Sequence, residues 1–312
     1  MKDLFSSSLI QRKAWERSDS VQIKSRLEQA SSRIIVWFEG QLVVAEDSSA
    51  YFSWRELAAH GEVLSLPVYL GQHQTVDYFT CQLKQWVDDF VGLQLFKLRQ
   101  ACRLFDDFHV SLLFHAQGML NWHKNHSFCS ACGAKTQITQ AGHARVCEDE
   151  SCAKIHYPKL DPAVIFSVVN HNGAEPKLLL ARKQEWDEYR YSVLAGFVEP
   201  GETLEDSVKR EAFEETGLAV ECVEYVASQP WPFPDALMLA FRCKTTQQEI
   251  TLIDQELESA RWFSADDIEN AICSHEFKMP FEFSIAWYLI DEWFVQQKGY
   301  SLKPAASNPE YN

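Results

Sequence analysis

A run of glutamates near residue 211 holds the side chains best suited to chemistry. The segment REAFEETG contains Glu211, Glu214 and Glu215. At about 100° per helical residue, Glu211 and Glu215 continue an apolar stripe made by Leu204 and Val208, and Glu214 flanks it. Unpaired charges are costly on a helix face that turns toward a domain, so the stripe indicates bound divalent cations. Mg²⁺ takes oxygen ligands and commonly bridges protein carboxylates to substrate phosphates.

Local signals define the helix that carries these glutamates. Thr203 followed by Asp206 resembles a capping box, and Gly217 is typical of a helix end. The sequence therefore predicts a helix from about 204 to 216. Arg210 lies four residues before Glu214, a spacing that gives ordinary helix support and is not by itself a functional sign.

A second group of chemical residues is a cysteine cluster with the spacing C-x2-C-x14-C-x4-C, made by Cys129, Cys132, Cys147 and Cys152. Each close pair can present two thiolates to one tetrahedral ion, so the spacing predicts one zinc per chain. Gly133 would allow the tight turn after the second ligand. A site closed by four cysteines has no open coordination position, which favours a structural role over catalysis. Redox chemistry and nucleic-acid binding by the ribbon are the alternatives.

The overall composition limits the classes of function. The 312 residues carry a formal net charge of −15, which argues against a broad basic face that holds nucleic acid by its phosphates. No window approaches the roughly 20 apolar residues of a membrane span, and no secretory signal is recognisable. Nine cysteines, an odd count, fit a reducing compartment better than a paired disulfide framework. We therefore expect a cytoplasmic protein that does not enter a membrane.

The N-terminal part reads as mixed α and β structure. Residues 33–46 predict two strands about a Glu-Gly turn, and residues 63–70 predict another strand. Apolar residues recur at helical spacing from about 94 to 124, with a break near Asp106, which predicts two helices. Within 1–125 the sequence shows no catalytic constellation.

The chain after the cysteines has a different texture. Residues 163–169 and 177–182 predict short strands, and residues 281–297 predict a helix. The expected organisation is an N-terminal α+β domain (1–125), a zinc ribbon (126–157), a catalytic domain (158–298) and a mobile tail (299–312).

The glutamate segment resembles the Nudix box, G-x5-E-x7-R-E-U-x-E-E-x-G-U, in which U is aliphatic. Every fixed position is filled: Gly196, Glu202, Arg210, Glu211, Ala212, Glu214, Glu215, Gly217 and Leu218. The resemblance implies an α/β fold, the Nudix α/β/α sandwich. It also implies metal-assisted attack of water on a diphosphate attached to another moiety. By resemblance, Glu211, Glu214 and Glu215 are catalytic metal ligands for Mg²⁺ or Mn²⁺, and the backbone carbonyl of Ala195 is a further ligand.

The stretch SQPWPFP, residues 228–234, narrows the substrate. Three prolines exclude a helix interior or a central strand. Together with the cysteine ribbon, the segment YPKLDPAVI and the Nudix box, it closely resembles the NADH pyrophosphatase family over residues 122–290. In that family the positions of Trp231 and Phe197 stack on bases, and a stiff loop reduces the ordering cost of binding. The alternative is a tryptophan wedged in the core beside a proline turn.

Further site residues are carried over from this resemblance. Glu256 matches a distal acidic metal ligand and is counted with the catalytic glutamates. The residues expected to contact substrate are Tyr157, Phe197, Gln229, Pro230, Trp231, Pro232, Phe233, Pro234, Asp235, Ala236 and Ala286. One departure stands out: Ala236 replaces a serine that is common in the family, and it follows the additional carboxylate of Asp235. A hydroxyl contact to the ligand is thereby in doubt.

The resemblance implies hydrolysis of NADH, and less efficiently of NAD⁺, to nicotinamide mononucleotide and AMP. It also implies that the same site can remove an NAD cap from an RNA 5′ end. A homodimer is also implied. The alternatives are a Nudix hydrolase of another dinucleotide, such as ADP-ribose, or a non-catalytic module that senses nucleotides or binds nucleic acid. The intact glutamates argue against an idle module.

Overall fold

The computed structural model describes residues 9–45, 49–58, 65, 67–86, 92–253 and 256–302. The chain divides into two compact units. The first unit consists of Met1–Leu160 and Trp231–Asp235, and the second consists of Asp161–Pro230 and Ala236–Asn312. The four-part division expected from the sequence stays a prediction.

The first unit combines two described sheets with helices. Its helices and strands are α1 (Ser20–Leu27), β1 (Arg33–Phe38), β2 (Gln41–Val44), α2 (Trp54–Ala58), β3 (Val68–His73), β4 (Val76–Leu83), β5 (Gln94–Phe96), α3 (Leu98–Ala101), α4 (Asp107–Asn125), β6 (Thr136–Thr139), β7 (Ala144–Cys147) and β8 (Ile155–His156). One sheet has the order β3-β4-β1-β2-β5 and the other the order β6-β7-β8. Pairing is antiparallel except between β1 and β4.

Most sequence predictions for this unit are confirmed, and one is wrong in part. Glu39 and Gly40 both have positive φ, 49° and 77°, as the tight turn between β1 and β2 requires. Asp106 caps α4 through the N–H of His109, which explains the predicted break. However, residues 94–96 form strand β5 and not helix, because they pair with β2. In so short a segment the spacing of apolar residues does not distinguish a strand from a helix.

Two predicted segments lie partly outside the described residues. The strand expected at 63–70 is seen as β3 from Val68, while 63, 64 and 66 are outside the described ranges. Of the tail expected from 299, residues 299–302 are described, and Leu302 is buried. Residues 303–312 lie outside the description, so their mobility stays a prediction.

The second unit has one described sheet between two helical layers. Its elements are β9 (Asp161–Asn170), β10 (Lys177–Arg182), β11 (Leu194–Phe197), α5 (Leu204–Thr216), β12 (Glu221–Trp231), β13 (Ala236–Thr245), β14 (Ser259–Phe263), α6 (Ala265–Cys273) and α7 (Ile285–Lys298). The strand order is β12-β13-β9-β10-β14, and β11 pairs with β9. β12 is therefore an edge strand, which is where a strand tolerates Pro230.

Alternation along β9 separates the two faces of this sheet. Val164 and Phe166 pack in one core with Val208 of α5. Ile165 packs in the other core with residues of α6 and α7 such as Ile268. Successive strand residues point to opposite faces, so the sheet is covered on both sides. This is the predicted α/β/α sandwich.

Candidate active site

Helix α5 carries the glutamates as predicted. It spans Leu204–Thr216, Thr203 accepts a hydrogen bond from the N–H of Asp206, and Gly217 ends the helix at φ 70°. Val208 is fully buried, and Glu215 on the same stripe is only 2% exposed. The stripe therefore faces the core of the unit, and the carboxylate of Glu215 is buried there.

The approach of Glu211 to strand β11 is unusually close. A Cβ added to Gly196 would lie 1.8 Å from Cδ of Glu211 and 2.0 Å from its Oε1. A side chain at position 196 would displace the carboxylate of Glu211, so the observed position of Glu211 requires glycine there. Ala195, whose carbonyl is the expected further ligand, is the neighbouring residue of β11.

Arg210 does far more than support the helix. Its Nε and Nη2 donate to both carboxylate oxygens of Glu202, at 2.6 and 2.9 Å. Its Nη1 donates to Glu211 at 2.8 Å and to Glu214 at 3.0 Å, and Nη2 also donates to the carbonyl of Phe197 at 2.9 Å. These bonds tie the helix to β11 and to the preceding turn. From the sequence, only the contact with Glu214 is predicted. The contacts of Arg210 with Glu202, Glu211 and the Phe197 carbonyl do not follow the i, i+4 spacing of a helix.

The charges of this network follow from its geometry. Hydrogen bonding from Arg210 lowers the pKa of Glu202 to about 2. Burial raises the pKa of Glu211, against the effect of Arg210, and the charges of Glu214 and Glu256 raise it further. Negative charge is therefore concentrated around Glu211.

Glu256 joins the same electrostatic group. Its Oε2 accepts a hydrogen bond from Nζ of Lys183 at 3.0 Å, and its side chain is 60% exposed. Burial of Lys183 opposes protonation, but the hydrogen bond with Glu256 and the charge of Glu215 raise its pKa. The sequence does not single out Lys183, because it follows β10 in a segment that carries no motif.

The donor set fits a divalent cation. The carboxylates of the four glutamates and the carbonyl of Ala195 are all oxygen donors, which hard cations prefer. Burial raises the pKa of Glu211, and the neighbouring carboxylates raise it further although Arg210 lowers it, as expected where acidic groups are gathered. Among the described residues, the potential metal ligands found close together in a group of three or more are the four cysteines. The described glutamate side chains are not gathered in this way, since Glu211 and Glu214 form ion pairs with Arg210.

The four cysteines converge as predicted. Their Sγ atoms all lie within 4.8 Å of one another. Cys129 and Cys152 are 3.8 Å apart, and Cys132 and Cys147 are 3.4 Å apart. Four sulfurs about 2.3 Å from one zinc ion would be separated by roughly 3.8 Å, so the cluster fits tetrahedral zinc.

Two turns build this cluster. Gly133, at φ 77°, donates its N–H to the carbonyl of Cys129 at 2.9 Å, which closes the first turn. Cys152 donates its N–H to Asp149 at 3.0 Å in the second turn. Nε2 of the buried His156 lies 3.3 Å from Sγ of Cys129. Such outer contacts orient ligands, and the sequence did not reveal this one.

The aromatic segment, residues 228–234, is divided between the units: residues 231–234 belong to the first unit and residues 228–230 to the second. Trp231 and Phe233 are half-buried, and their ring centroids are 4.9 Å apart. Phe114 of α4 meets both rings edge-on, at 6.4 and 6.0 Å. Cζ of Arg99 lies 4.7 Å from the Phe233 centroid and 5.9 Å from that of Trp231. The rings are thus held in a defined arrangement. The half-buried Trp231 packs against Phe114 and Phe233, as the alternative of a core tryptophan also predicts.

The remaining predicted substrate residues differ widely in exposure. Gln229 is fully buried; it donates to the carbonyl of Phe283 at 2.9 Å and accepts from the N–H of Ile285 at 2.7 Å. Ala286 and Ala236 are 7% exposed, and Pro232 is buried. These residues support the local structure and present little surface to a ligand.

The predicted residues that do present surface include two aromatic ones. Phe197 is 60% exposed and Tyr157 is 53% exposed. Pro230 and Pro234 are exposed, and Asp235 is half-buried with its Oδ2 3.5 Å from Nδ2 of Asn125. The additional carboxylate of Asp235 therefore has a polar neighbour in Asn125.

Family comparisons agree with this site. The NUDIX domain matches residues 159–281, and the NADH pyrophosphatase zinc ribbon domain matches residues 124–157. Residues 31–122 match an NADH pyrophosphatase-like rudimentary NUDIX domain, which sequence reasoning had missed because that region holds no Nudix box. NAD-capped RNA hydrolase NudC of Mycobacterium bovis is 37% identical over 220 residues, covering 68% of this chain and 69% of that protein. The chain belongs to the NADH pyrophosphatase family of Nudix hydrolases.

Other relatives match smaller shares of their own length. NAD-capped RNA hydrolase NUDT12 of Homo sapiens is 38% identical over 193 residues, which cover 59% of this chain and 41% of that protein. NAD(P)H pyrophosphatase NUDT13, mitochondrial, of Mus musculus is 40% identical over 226 residues, 68% of this chain and 62% of that protein. The chain thus spans about two fifths of the length of NUDT12. A NUDIX hydrolase crystal structure from Nitrosomonas europaea aligns with 23% identity and a TM-score of 0.43, covering 56% of this chain and 94% of that one.

In the part of the chain that the structure describes, every helix is too short or too polar to cross a bilayer. The cytoplasmic location stays a prediction from the sequence.

Proposed function

We propose that the protein hydrolyses the diphosphate of NADH, and less efficiently that of NAD⁺, in a reaction that depends on Mg²⁺ or Mn²⁺. The products are AMP and nicotinamide mononucleotide, which is reduced when NADH is the substrate. The observation that carries the proposal is the set of inward-facing carboxylates on α5, with Glu211 packed beneath Gly196 and Glu215 buried. Family membership supports the substrate class.

The residues divide into two roles. Glu211, Glu214, Glu215, Glu256 and the Ala195 carbonyl hold the divalent cations, which when bound offset phosphate charge and activate water. One of the glutamates accepts the proton that the attacking water loses. Arg210 orients Glu211 and Glu214 and anchors both to β11 through the Phe197 carbonyl.

Recognition of the base rests on rings. We assign stacking to Trp231 and Phe197, since any base presents a flat face to an aromatic side chain. We further propose substrate contacts from the exposed Tyr157, Pro230 and Pro234, and from Phe233 and Asp235.

The partners follow from the same chemistry. We propose that an NAD cap on an RNA 5′ end is a further substrate, in line with the names of two relatives. We also propose a homodimer in which the 228–234 segment of one chain lies near the glutamates of the other. One structural zinc per chain is assigned to the four cysteines.

Product analysis tests the activity. Purified protein is incubated with NADH, NAD⁺, ADP-ribose or NAD-capped RNA, each with Mg²⁺, with Mn²⁺ or with chelator, and the products are separated by chromatography. We expect AMP from NADH with metal only, and more slowly from NAD⁺. Release of AMP from ADP-ribose but not from NADH would refute the proposed substrate.

A further inference from the structure

The prolines of the aromatic segment create a structural problem. Strand β12 ends at Trp231, and Pro232 and Pro234 have no N–H, so residues 232–234 are not held by a regular hydrogen-bond ladder. Within it, the N–H of Phe233 donates to the carbonyl of Trp231 at 2.7 Å. Other groups must hold the rings of Trp231 and Phe233 in place before a base can stack on Trp231.

One face of α4 supplies such groups. Phe114, Gln117, Asn121 and Asn125 recur every three or four residues and fall within about 80° of helix surface. Nδ2 of Asn121 donates to the carbonyl of Pro234 at 2.7 Å, and Nδ2 of Asn125 lies 3.5 Å from Asp235. The helix therefore uses the carbonyls that the prolines retain.

The orientation of Asn121 is determined by its partners. A backbone carbonyl only accepts, so the amide nitrogen must face Pro234. The opposite end, Oδ1, accepts from Nε2 of Gln117 at 2.6 Å. Both ends of the amide are used, which stabilises the observed rotamer of Asn121.

Arg99 acts on the rings themselves. Its guanidinium lies over Phe233 and near Trp231, while Phe114 closes the edges of both rings. Arg99 and Phe114 each contact both rings, and together these contacts favour the observed tilt between Trp231 and Phe233. Arg99 is exposed, so the free energy of each of its cation–π contacts is modest.

We propose that Arg99 and Asn121 are positioning residues for substrate binding: they hold Trp231, with Phe233 packed beside it, in the orientation that receives the flat base of a dinucleotide. The rudimentary Nudix region thereby sets substrate affinity although it supplies none of the metal ligands. This inference rests on the proposed function, and it assigns a role to residues 31–122 that their sequence did not show.

The test compares Asn121→Ala, Arg99→Ala and Arg99→Lys with wild type. Loss of one hydrogen bond predicts a KM for NADH about fivefold higher in Asn121→Ala. Loss of an exposed cation–π contact predicts a rise of roughly two- to fivefold in Arg99→Ala, which Arg99→Lys largely restores. In each variant kcat should stay within about twofold of wild type, because the metal ligands are untouched. Lys124→Ala, an exposed change on the same helix, should leave KM unchanged.

Hydrogen exchange of the peptide covering residues 228–237 separates this inference from the proposed function. We expect faster exchange there in Asn121→Ala than in wild type or Lys124→Ala. Unchanged exchange would overturn the positioning role, as would faster exchange with an unchanged KM. If wild type fails to hydrolyse NADH, the proposed function is wrong. The positioning role is then tested by binding: Asn121→Ala should show both faster exchange and a higher calorimetric Kd for NADH than wild type.

Discussion

At the scale of single residues, the glutamates and the glycine beside them form one device. Glu211 occupies the volume that any side chain at position 196 would need. Resemblance to the Nudix box predicts that Glu211, Glu214 and Glu215 are metal ligands. It did not predict that Arg210 binds Glu202, Glu211 and Glu214 together, because these contacts depend on how the preceding turn folds back.

Gly196→Ala tests this steric fit. The added methyl would displace the Glu211 carboxylate, so we expect kcat/KM for NADH to fall by roughly a hundredfold, the scale seen when a preorganised electrostatic group is lost. Affinity for Mn²⁺, measured by calorimetry, should fall as well. Gly118→Ala is the matched control, since its methyl meets nothing within 4 Å. Wild-type kinetics in Gly196→Ala would contradict the steric role of Gly196.

At the scale of elements, the cysteine ribbon is expected to stabilise and not to catalyse. Elemental analysis should find one zinc per chain that survives mild chelation. Cys129→Ser should lose that zinc and lower Tm by roughly 5 °C or more, because zinc binding contributes directly to folding. The exposed Cys273→Ser is the control and should change neither. Disulfides or an absence of zinc in fresh protein would contradict the assignment.

The aromatic segment is the element on which two interpretations still differ. If Trp231 stacks a base, Trp231→Ala should raise KM or lower kcat/KM for NADH by roughly tenfold to a hundredfold, since stacking is worth about 1 to 3 kcal/mol. If its ring mainly fills the core with Phe114 and Phe233, the same change should cost about 3 to 5 kcal/mol of stability.

Melting temperature and kinetics measured together on Trp231→Ala separate these interpretations. Trp15→Ala, at a ring that is 78% exposed, provides the control. A large fall in Tm, with KM unchanged in the folded fraction, would exclude base stacking by Trp231.

The sequence predicted local elements better than their partners. Helix α5 was predicted to the residue, because Thr203 and Gly217 mark its ends. β5 was mistaken for helix, since its pairing with β2 joins residues far apart in the chain. The burial of Gln229 was equally hidden, because its amide binds the backbone at Phe283 and Ile285.

At the scale of the whole molecule, self-association is the least local prediction. If the 228–234 segment of one chain serves the glutamates of another, the active form is a homodimer. Light scattering coupled to size exclusion should give twice the chain mass at working concentrations. A monomer with full activity would contradict this arrangement.

The central claim is that the carboxylates of α5 carry metal-dependent cleavage of NADH. The most direct measurement is NADH turnover by Glu215→Gln beside wild type in saturating Mn²⁺, with folding followed by circular dichroism. Glu215→Gln keeps the shape of the side chain and removes its charge, so we predict loss of most turnover, roughly a hundredfold, with Tm nearly unchanged. Glu205→Gln, an exposed change on the same helix, should retain activity. Wild-type turnover in Glu215→Gln would contradict the claim.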